Sequence, residues 1–362
     1  MKIATVVGAR PQFIKMFVVS RELDRAGFEE IIIHTGQHYD YEMDRIFFEQ
    51  LKIPEPDYNL GVGSGTHGFQ TGEMIKRIEE VLFKEKPDIV LVYGDTNSTL
   101  AGALVGAKLG IKIAHVEAGL RCYDKSVPEE INRVLTDHIS SYLFAPTKRA
   151  VENLKKEGLV EGVYLTGDVM LDAVLQTLHI AEQNSEILEK LELDKGDYLL
   201  ATVHRAENTD IKENLTEIVK ALIECGEKIV FPMHPRTRKM LIQFSILSEL
   251  EKADNIIITK PLGYLDMLML EKNARKILTD SGGVQKEAYF FRVPCITLRN
   301  KTEWSETVED GWNILVGANK ERIIWAIESF EPKGDSYTSK FGNGKASERI
   351  VEILGDCAYG CP

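Results

Sequence analysis

The 362-residue chain exceeds the size at which a single hydrophobic core stops growing, about 250–300 residues, so two domains are expected. Its net charge of −12 excludes a protein that binds nucleic acid through a basic surface. Its apolar runs fall far short of the ~20 residues of a membrane span, and its first residues lack a signal-peptide pattern, which together predict a cytoplasmic protein.

In the first half of the chain, short β-branched segments alternate with longer amphipathic segments. Pro11–Ala26 and Gly72–Lys84 are predicted helices, because their apolar residues recur at three- and four-residue spacing. Such alternation is typical of βαβ units in a parallel sheet. The predicted strands are Ile3–Val7, Glu30–His34, Ile89–Gly94, Lys112–Val116 and Tyr142–Ala145.

The pattern pauses after Gly167 in a polar segment and then begins again. The two series of strands predict an α/β fold with two Rossmann-like, doubly wound parallel-sheet domains, at residues 1–167 and 168–344. Ligands bind such sheets beyond the carboxyl ends of the strands. The strands of the second series are Tyr198–Val203, Lys228–Pro232, Ile256–Thr259, Lys276–Thr279, Cys295–Leu298 and Asn313–Val316.

The first polar cluster follows the first predicted strand, where Gly8-Ala9-Arg10-Pro11 leads into a helix with Pro near its first position. Lys15 lies about one turn further along that helix. Arg10 and Lys15 are therefore placed to bracket a diphosphate. A solvated turn is the alternative interpretation.

Two carboxylates follow neighbouring strands of the first series. Asp95 comes after Tyr93-Gly94, and Glu117 after His115-Val116, so both are predicted at one edge of the sheet. Close carboxylates separate each other's pKa values, which supplies an acid and a base at neutral pH. In the alternative interpretation Asp95 caps the next helix.

A predicted helix starts at Pro128 and places Glu129 and Arg133 on one face, at positions i and i+4. The alternative interpretation is an ordinary surface ion pair, which contributes only about 0.3–0.5 kcal/mol.

In the second series, His204 and Arg205 leave a strand together, and His204 is suited to hold a phosphate or to move a proton. His234 follows the next strand but lies between two prolines, so a rigid turn is the alternative there.

Ser281-Gly282-Gly283 joins a predicted strand to a predicted helix. Without Cβ atoms the two glycines let phosphate oxygens approach the backbone N–H groups at the helix N-terminus. Glu287, one turn into this helix, is placed to accept hydrogen bonds from ribose hydroxyls. This segment predicts a nucleotide-phosphate site.

No cofactor or metal ion is expected from the motifs. The sequence contains neither a Walker A motif nor a GxGxxG motif between a strand and a helix, so a nicotinamide cofactor is not predicted. The five cysteines form no pair of CxxC motifs and indicate reduced, structural thiols rather than a zinc site.

Taken together, the motifs resemble the non-hydrolysing UDP-N-acetylglucosamine 2-epimerases over nearly the whole chain. The resemblance implies two Rossmann-like domains facing a cleft, the glycosyltransferase-B architecture, with a C-terminal helix at 345–362 that joins the first domain. It also implies a homodimer. The motifs are GARPQFIK, YGDTNS, HVEAGLR, PEEINR, TVHRAEN, TDSGGVQKEA and FGNGKASERIV.

The resemblance implies that UDP-GlcNAc and UDP-ManNAc interconvert by anti elimination of UDP to 2-acetamidoglucal and re-addition of UDP. The implied catalytic residues are Asp95, Glu117, Glu129, Arg133 and His204. The implied contacts to the UDP-sugar are Arg10, Lys15, His204, Arg205, Leu262, Met267, Ser281, Gly282, Gly283 and Glu287.

The chain departs from the family pattern in two places. Trp304 stands where many bacterial members carry arginine, which puts one nucleotide contact in doubt. A second, regulatory UDP-GlcNAc site is implied near Gln37, His38 and His234, although the residues after His38 differ from the bacterial pattern.

Two other functions remain open from the sequence. A glycosyltransferase of the same fold would share the nucleotide-binding half. It would also need an acceptor groove, for which the first half shows no pattern. A non-catalytic sensor of nucleotide sugars would leave Asp95, Glu117 and Glu129 without a role.

Overall fold

The computed structural model describes residues 1–37, 53–332 and 340–358, and the chain divides into two compact units. Unit 1 comprises Met1–Gln176 and Ser339–Pro362, and unit 2 comprises Thr177–Thr338. Each unit is built around one parallel sheet.

The sheet of unit 1 has seven parallel strands in the order β3-β2-β1-β4-β5-β6-β7, so the strand order reverses beside β1. Its strands are β1 Lys2–Val7, β2 Glu29–His34, β3 Tyr58–Asn59, β4 Ile89–Tyr93, β5 Lys112–Val116, β6 Tyr142–Ala145 and β7 Val163–Leu165. Its helices are α1 Arg10–Arg25, α2 His67–Glu85, α3 Asn97–Lys108, α4 Pro128–Ile139, α5 Lys148–Lys156 and α6 Val169–Asn184, the last of which continues into unit 2.

The sheet of unit 2 has six parallel strands in the order β10-β9-β8-β11-β12-β13. Its strands are β8 Leu199–Thr202, β9 Ile229–Pro232, β10 Ile256–Thr259, β11 Lys276–Thr279, β12 Cys295–Thr297 and β13 Asn313–Leu315. The helices that follow α6 are α7 Ile187–Lys190, α8 Ala206–Thr209, α9 Lys212–Glu224, α10 Pro235–Gln243, α11 Leu247–Glu251, α12 Tyr264–Asn273, α13 Gly282–Phe291, α14 Ser305–Glu309, α15 Lys320–Ser329 and, in unit 1, α16 Ala346–Ala358.

The predicted fold class, α/β with two parallel sheets, is confirmed. The central strands β1, β4 and β8 are buried almost throughout, because helices cover both faces of a parallel sheet. This explains why the strands read as continuous apolar runs. Strands β3 and β7 were not predicted, since two or three residues are too few to show a period.

Hydrogen bonds with residues 341–347 hold the start of the last helix against the start of α6 within unit 1. Oδ2 of Asp172, at the start of α6, accepts hydrogen bonds from the backbone N–H of Ser347 at 2.7 Å and from its hydroxyl at 2.6 Å. The N–H of Asp168 donates to the carbonyl of Phe341 at 2.9 Å. Asp172 therefore satisfies N-terminal donors of α16, which packs against α1.

We expect Asp172→Ala to lower the free energy of unfolding by about 1–2 kcal/mol, because it removes the acceptor at a buried helix N-terminus. Asp172→Asn keeps an acceptor oxygen and serves as the matched control. Burial raises the pKa of Asp172, although Ser347 opposes this, so the ionised form is disfavoured in the fold. The contribution of Asp172 to the free energy of unfolding is therefore present at low pH, and it is lost as the pH rises through the raised pKa of Asp172 in the folded protein.

Urea denaturation of the natural chain and both variants at several pH values measures the cost of Asp172→Ala and its dependence on pH. The Asn variant should gain stability relative to the natural chain as pH rises above about 4, the unfolded pKa of Asp. An Ala variant as stable as the Asn variant would contradict the capping role.

Among the described helices, none combines the length and the apolar character that a membrane crossing requires.

Candidate active site

The loops after β1 and β4 meet at the point of unit 1 where the strand order reverses, and Gln12 joins them. Its carbonyl oxygen accepts hydrogen bonds from the N–H groups of Gly8 and Ala9, at 2.9 and 3.0 Å. Its amide nitrogen donates to the carbonyl of Tyr93 and to the hydroxyl of Thr99, both at 3.0 Å. A fully buried glutamine thus fixes the turn that leads to Arg10, the half-buried first residue of α1.

Asp95 lies at this edge with one carboxylate oxygen anchored. Its Oδ2 accepts hydrogen bonds from Nε and Nη2 of Arg133, at 2.9 and 2.6 Å. Helix α3 is capped instead by Thr96, whose hydroxyl accepts from the N–H of Thr99 at 3.3 Å. The alternative interpretation of Asp95 as a helix cap is therefore wrong.

Glu117 follows β5 and forms a buried ion pair with Lys15 of α1, 102 residues away in the sequence. Its backbone lies in the left-handed region, with φ +77°, which costs a residue other than glycine about 1–2 kcal/mol. The N–H groups of Glu117 and Ala118 both donate to the carbonyl of Phe144 at 3.1 Å and hold this turn. The strained conformation is thus fixed by the neighbouring strand β6.

Arg133 is buried, with 7% of its side chain exposed, so the predicted alternative of a surface ion pair does not describe it. Besides Asp95 it contacts Glu130, whose Oε2 lies 3.1 Å from its Nη1. The carboxylate of Glu130 also accepts hydrogen bonds from the N–H groups of Cys122 and Tyr123, at 3.0 and 2.8 Å. Glu130 was not predicted from the sequence, and the adjacent Glu129, which was, is half-buried in the first turn of α4.

The predicted regulatory residues fall in different places. Gln37 lies near the ends of β2 and β4, where its carbonyl oxygen accepts from the hydroxyl of Ser98 at 2.8 Å. His38 lies outside the described residues. His234 belongs to unit 2.

In unit 2, Asp280 organises the turn that carries His204 and Arg205. Its fully buried carboxylate accepts hydrogen bonds from the N–H of His204 at 3.0 and 3.1 Å and from the N–H of Arg205 at 3.0 Å. The side-chain amide of Asn208 donates to it at 3.0 Å. No role was predicted for Asp280 from the sequence, although a carboxylate directly before Ser-Gly-Gly was a usable signal.

His204 and His234 lie side by side at the carboxyl edge of this sheet, with ring centroids 5.4 Å apart. Nδ1 of His234 accepts a hydrogen bond from the N–H of Arg236 at 3.1 Å and caps α10. The proton of a neutral His234 ring is therefore on Nε2. The hydrogen bond between His234 and Arg236 agrees with the alternative interpretation, in which His234 shapes a rigid turn.

The Ser-Gly-Gly segment begins α13, as predicted from the strand-turn-helix pattern. Ser281 is the N-cap residue, with its hydroxyl 3.5 Å from the N–H of Val284. A Cβ at Gly282 would come within 2.5 Å of Oε1 of Glu303, whereas one at Gly283 would meet nothing closer than 3.8 Å. Glu287 is buried one turn further along. Only Gly283 therefore has open space beside it.

The remaining predicted contacts also lie in unit 2. Met267 is buried in an apolar cluster beneath the sheet, and Leu262 packs against that cluster. Trp304 is buried as well, and the ammonium of Lys286 lies 4.0 Å from the centroid of its ring. The position at which the chain departs from the family pattern thus holds an aromatic side chain next to Gly282, whose Cβ would lie 3.2 Å from the indole nitrogen.

The described residues contain no group of three or more His, Cys, Asp or Glu side chains arranged to hold a metal ion. Unit 1 brings together Lys15 with Glu117 and Asp95 with Arg133. Unit 2 brings together His204 and Arg205 through Asp280.

The chain is similar to proteins of one family along nearly its whole length. The family model described as UDP-N-acetylglucosamine 2-epimerase matches residues 21–355. A relative from Methanococcus maripaludis, named UDP-N-acetylglucosamine 2-epimerase homolog, is 64% identical over 355 residues, which cover 98% of this chain and 99% of the relative.

Two further proteins that are similar to the chain carry the name of a UDP-sugar. A Pseudomonas aeruginosa relative named UDP-2,3-diacetamido-2,3-dideoxy-D-glucuronate 2-epimerase is 48% identical over 98% of this chain and 99% of its own length. The crystal structure of Methanocaldococcus jannaschii UDP-GlcNAc 2-epimerase in complex with UDP-GlcNAc and UDP is 54% identical. It covers 99% of this chain and 100% of that chain, with a TM-score of 0.93.

Proposed function

The chain belongs to the UDP-N-acetylglucosamine 2-epimerase family, and we therefore propose that it interconverts UDP-GlcNAc and UDP-ManNAc by inverting carbon 2 of the sugar. The observation that carries the proposal is the match to the epimerase family across residues 21–355, which spans both units. The glycosyltransferase alternative is not favoured, because the similar proteins are named 2-epimerases.

The chemistry sets two requirements. Carbon 2 is not adjacent to a carbonyl group, so its proton becomes removable mainly as the bond from carbon 1 to the diphosphate oxygen breaks. Anti elimination then gives UDP and 2-acetamidoglucal, and re-addition with proton return to the opposite face gives the epimer. The enzyme must therefore stabilise the departing diphosphate and supply placed proton-transferring groups.

We assign the proton transfers to carboxylates of unit 1. Oδ2 of Asp95 is held by Arg133, while no donor among the described residues contacts its Oδ1, so that oxygen is placed to accept a proton. Glu117 stands in an ion pair with Lys15 on a strained backbone, a feature that concentrates at functional sites. Glu129, Arg133 and His204 complete the proposed catalytic set.

We assign the diphosphate to the N-terminus of α13, with His204, Arg10 and Lys15 as further contacts. The helix dipole and the N–H groups at Ser281-Gly282-Gly283 favour a negative group there. Glu287 is assigned to the ribose hydroxyls. Arg205, Leu262 and Met267 remain proposed contacts to the UDP-sugar.

Incubation of the pure protein with UDP-GlcNAc in heavy water tests the proposal. Epimerisation predicts that deuterium appears at carbon 2 of both UDP-sugars and that UDP is re-attached at carbon 1, which proton NMR detects as loss of the carbon 2 proton signal without net release of UDP. Release of free ManNAc and UDP would indicate a hydrolysing enzyme instead. No change unless an acceptor is added would indicate a glycosyltransferase.

We expect Gly283→Ala to weaken UDP binding about 10-fold, which corresponds to ~1.4 kcal/mol, because its methyl group would occupy the space proposed for phosphate oxygens. The fold should be unaffected, since among the described residues the first atom outside the local helix backbone that the methyl group meets is Oγ of Ser281, at 3.8 Å. Titration calorimetry with UDP measures the change. The control is Gly72→Ala, the same substitution at an exposed helical position with nothing within 4 Å. Equal affinities in the two variants would place the phosphates elsewhere.

A second candidate substrate is a UDP-linked 2,3-diacetamido uronate, because the relative that carries this name is 48% identical to the chain and is covered over 99% of its length. The same elimination would operate on that sugar. Competition between the two UDP-sugars in the heavy-water assay decides which has the higher kcat/KM.

The regulatory site at Gln37, His38 and His234 remains a proposal. It predicts that pure UDP-ManNAc turns over slowly until UDP-GlcNAc is added, and full turnover without UDP-GlcNAc would contradict it. We also propose a homodimer that acts in the cytoplasm, and light scattering of the pure protein tests the dimer.

A further inference from the structure

A buried network of hydrogen-bonded polar side chains lies next to the turns that carry Asp95 and Glu117. His115 of β5 is fully buried, and its Nε2 is 2.7 Å from the carbonyl oxygen of Gly94. Its Nδ1 is 2.7 Å from Oδ1 of Asp137. Both ring nitrogens are therefore engaged, on opposite sides of the ring.

The hydrogen-bond partners of His115, the Gly94 carbonyl and the Asp137 carboxylate, determine which ring nitrogens carry a proton. A carbonyl oxygen can only accept, so Nε2 of His115 carries a proton. Oδ2 of Asp137 receives hydrogen bonds from Nη1 of Arg121 at 2.7 Å and from the N–H of Gly119 at 3.1 Å. Burial acts to raise the pKa of Asp137, but His115 and Arg121 outweigh it and hold the pKa below its usual value. An ionised Asp137 only accepts, so Nδ1 of His115 carries a proton as well.

Arg121 extends the network to a second carboxylate. It forms two hydrogen bonds of 2.7 Å with the oxygens of Glu157. Glu157 is 24% exposed and its Oε2 also lies 3.2 Å from Nε2 of His138, so solvent and a second imidazole help to stabilise its charge.

The same ring fixes the turn that carries Asp95. The N–H of Gly94 donates to the carbonyl of Val116 at 3.0 Å, and the carbonyl of Gly94 accepts from His115. Residue 94 is thus tied to β5 at both its N–H and its carbonyl, immediately before Asp95. Glu117 is the next residue after Val116 on that strand. The positions of Asp95 and Glu117 are therefore both fixed by contacts with β5.

We propose that His115 is a positioning residue that remains an imidazolium and, through its hydrogen bond to Gly94, sets the place of Asp95 relative to Glu117. This inference rests on the proposed function, because it takes the two carboxylates as the groups that move protons. His115 itself is buried behind them and acts through the backbone.

Two substitutions separate the two hydrogen bonds of the ring. The side-chain nitrogen of Gln can take the place of Nε2, and that of Asn can take the place of Nδ1. His115→Gln therefore keeps a donor for Gly94, whereas His115→Asn keeps a donor for Asp137. We expect the Asn variant to lose about 100-fold in kcat, the effect of a misplacement near 1 Å, with KM nearly unchanged. The Gln variant should lose far less.

The kinetic outcomes are decisive in both directions. A kcat for the Gln variant close to that of the natural chain, with a large loss in the Asn variant, supports the proposal. Equal losses in kcat, or losses confined to KM, would overturn it. Circular dichroism checks that each variant is folded. If the Asn variant fails to fold, His115→Ala with added imidazole replaces it. Rescue of kcat by imidazole then supports the proposal, and absence of rescue contradicts it.

The charge is tested without substrate by NMR of protein with ¹⁵N-labelled histidine. We expect two ring N–H signals from His115, assigned by their loss in the Gln variant. A single ring N–H would overturn the imidazolium. Failure of the natural chain to place deuterium at carbon 2 would instead overturn the proposed function and leave the NMR result standing.

Discussion

Replacing Glu117 with Gln, or Asp95 with Asn, should reduce the conversion of UDP-GlcNAc to UDP-ManNAc by at least about 1,000-fold, the range of a lost general acid or base. Each amide keeps the shape of the side chain and an oxygen that faces Lys15 or Arg133, but it cannot take up the sugar proton. Binding of UDP should stay within a few-fold, because the phosphate contacts proposed at the N-terminus of α13 are unchanged in both variants.

The two variants also distinguish the direction of proton transfer. Each is assayed from UDP-GlcNAc and from UDP-ManNAc, with exchange followed by NMR and UDP binding by calorimetry. A variant that removes a proton from one sugar but cannot return it to the other face should release UDP and 2-acetamidoglucal from that sugar only. Glu80→Gln, at an exposed position of α2, is the control for loss of one negative charge. Parallel loss of UDP binding and exchange would assign the carboxylates to the nucleotide instead.

Replacing Arg121 with Met should lower the free energy of unfolding by about 3–5 kcal/mol, because it leaves the buried Asp137 without its guanidinium partner. The side chain of Arg121 is 1% exposed and that of Asp137 fully buried. Urea denaturation followed by circular dichroism measures the loss. The matched control is Arg236→Met, which breaks an exposed pair with Asp210 in which both side chains are 45% exposed and should cost under about 1 kcal/mol.

The effect of pH on this loss follows from the carboxylates. The pKa of Asp137 is lowered because its partners outweigh burial, and the hydrogen bond from Arg121 lowers the pKa of Glu157. Depressed pKa values contribute stability above the unfolded pKa, about 4, and that contribution disappears as pH falls through the folded values. The difference between the natural chain and Arg121→Met should therefore shrink below about pH 4. An equal loss at pH 3 and pH 7 would contradict the ion-pair origin.

Much of the fold followed from periodicity alone. The eleven strands that were predicted lie within one or two residues of strands in the structure, because a buried parallel strand must be apolar on both faces. The edge strands Tyr58–Asn59 and Val163–Leu165 were missed, because segments of two or three residues show no period. Parallel strands also bring their carboxyl ends to one edge, so the common edge of Asp95 and Glu117 followed from their positions after β4 and β5.

Pairing between side chains was much harder to predict. Glu129 and Arg133 matched a helical i, i+4 pattern, and the contacts of Arg133 with Glu130 and Asp95 were not predicted. The roles of Gln12 and Asp280, which hold neighbouring turns by backbone N–H groups, gave no periodic signal. The ion pair between the ammonium of Lys15 and Glu117 was also not predicted.

The sequence by itself determined the two sheets, the strand ends that carry polar residues and the glycine-rich helix start, because each depends on local patterns a few residues long. Only the tertiary structure decided the left-handed backbone of Glu117, the ion pair across 102 residues and the two-sided contacts of His115. Those features arise where several strands and helices meet, and a buried polar group takes its partner from whichever donor or acceptor packing brings within reach.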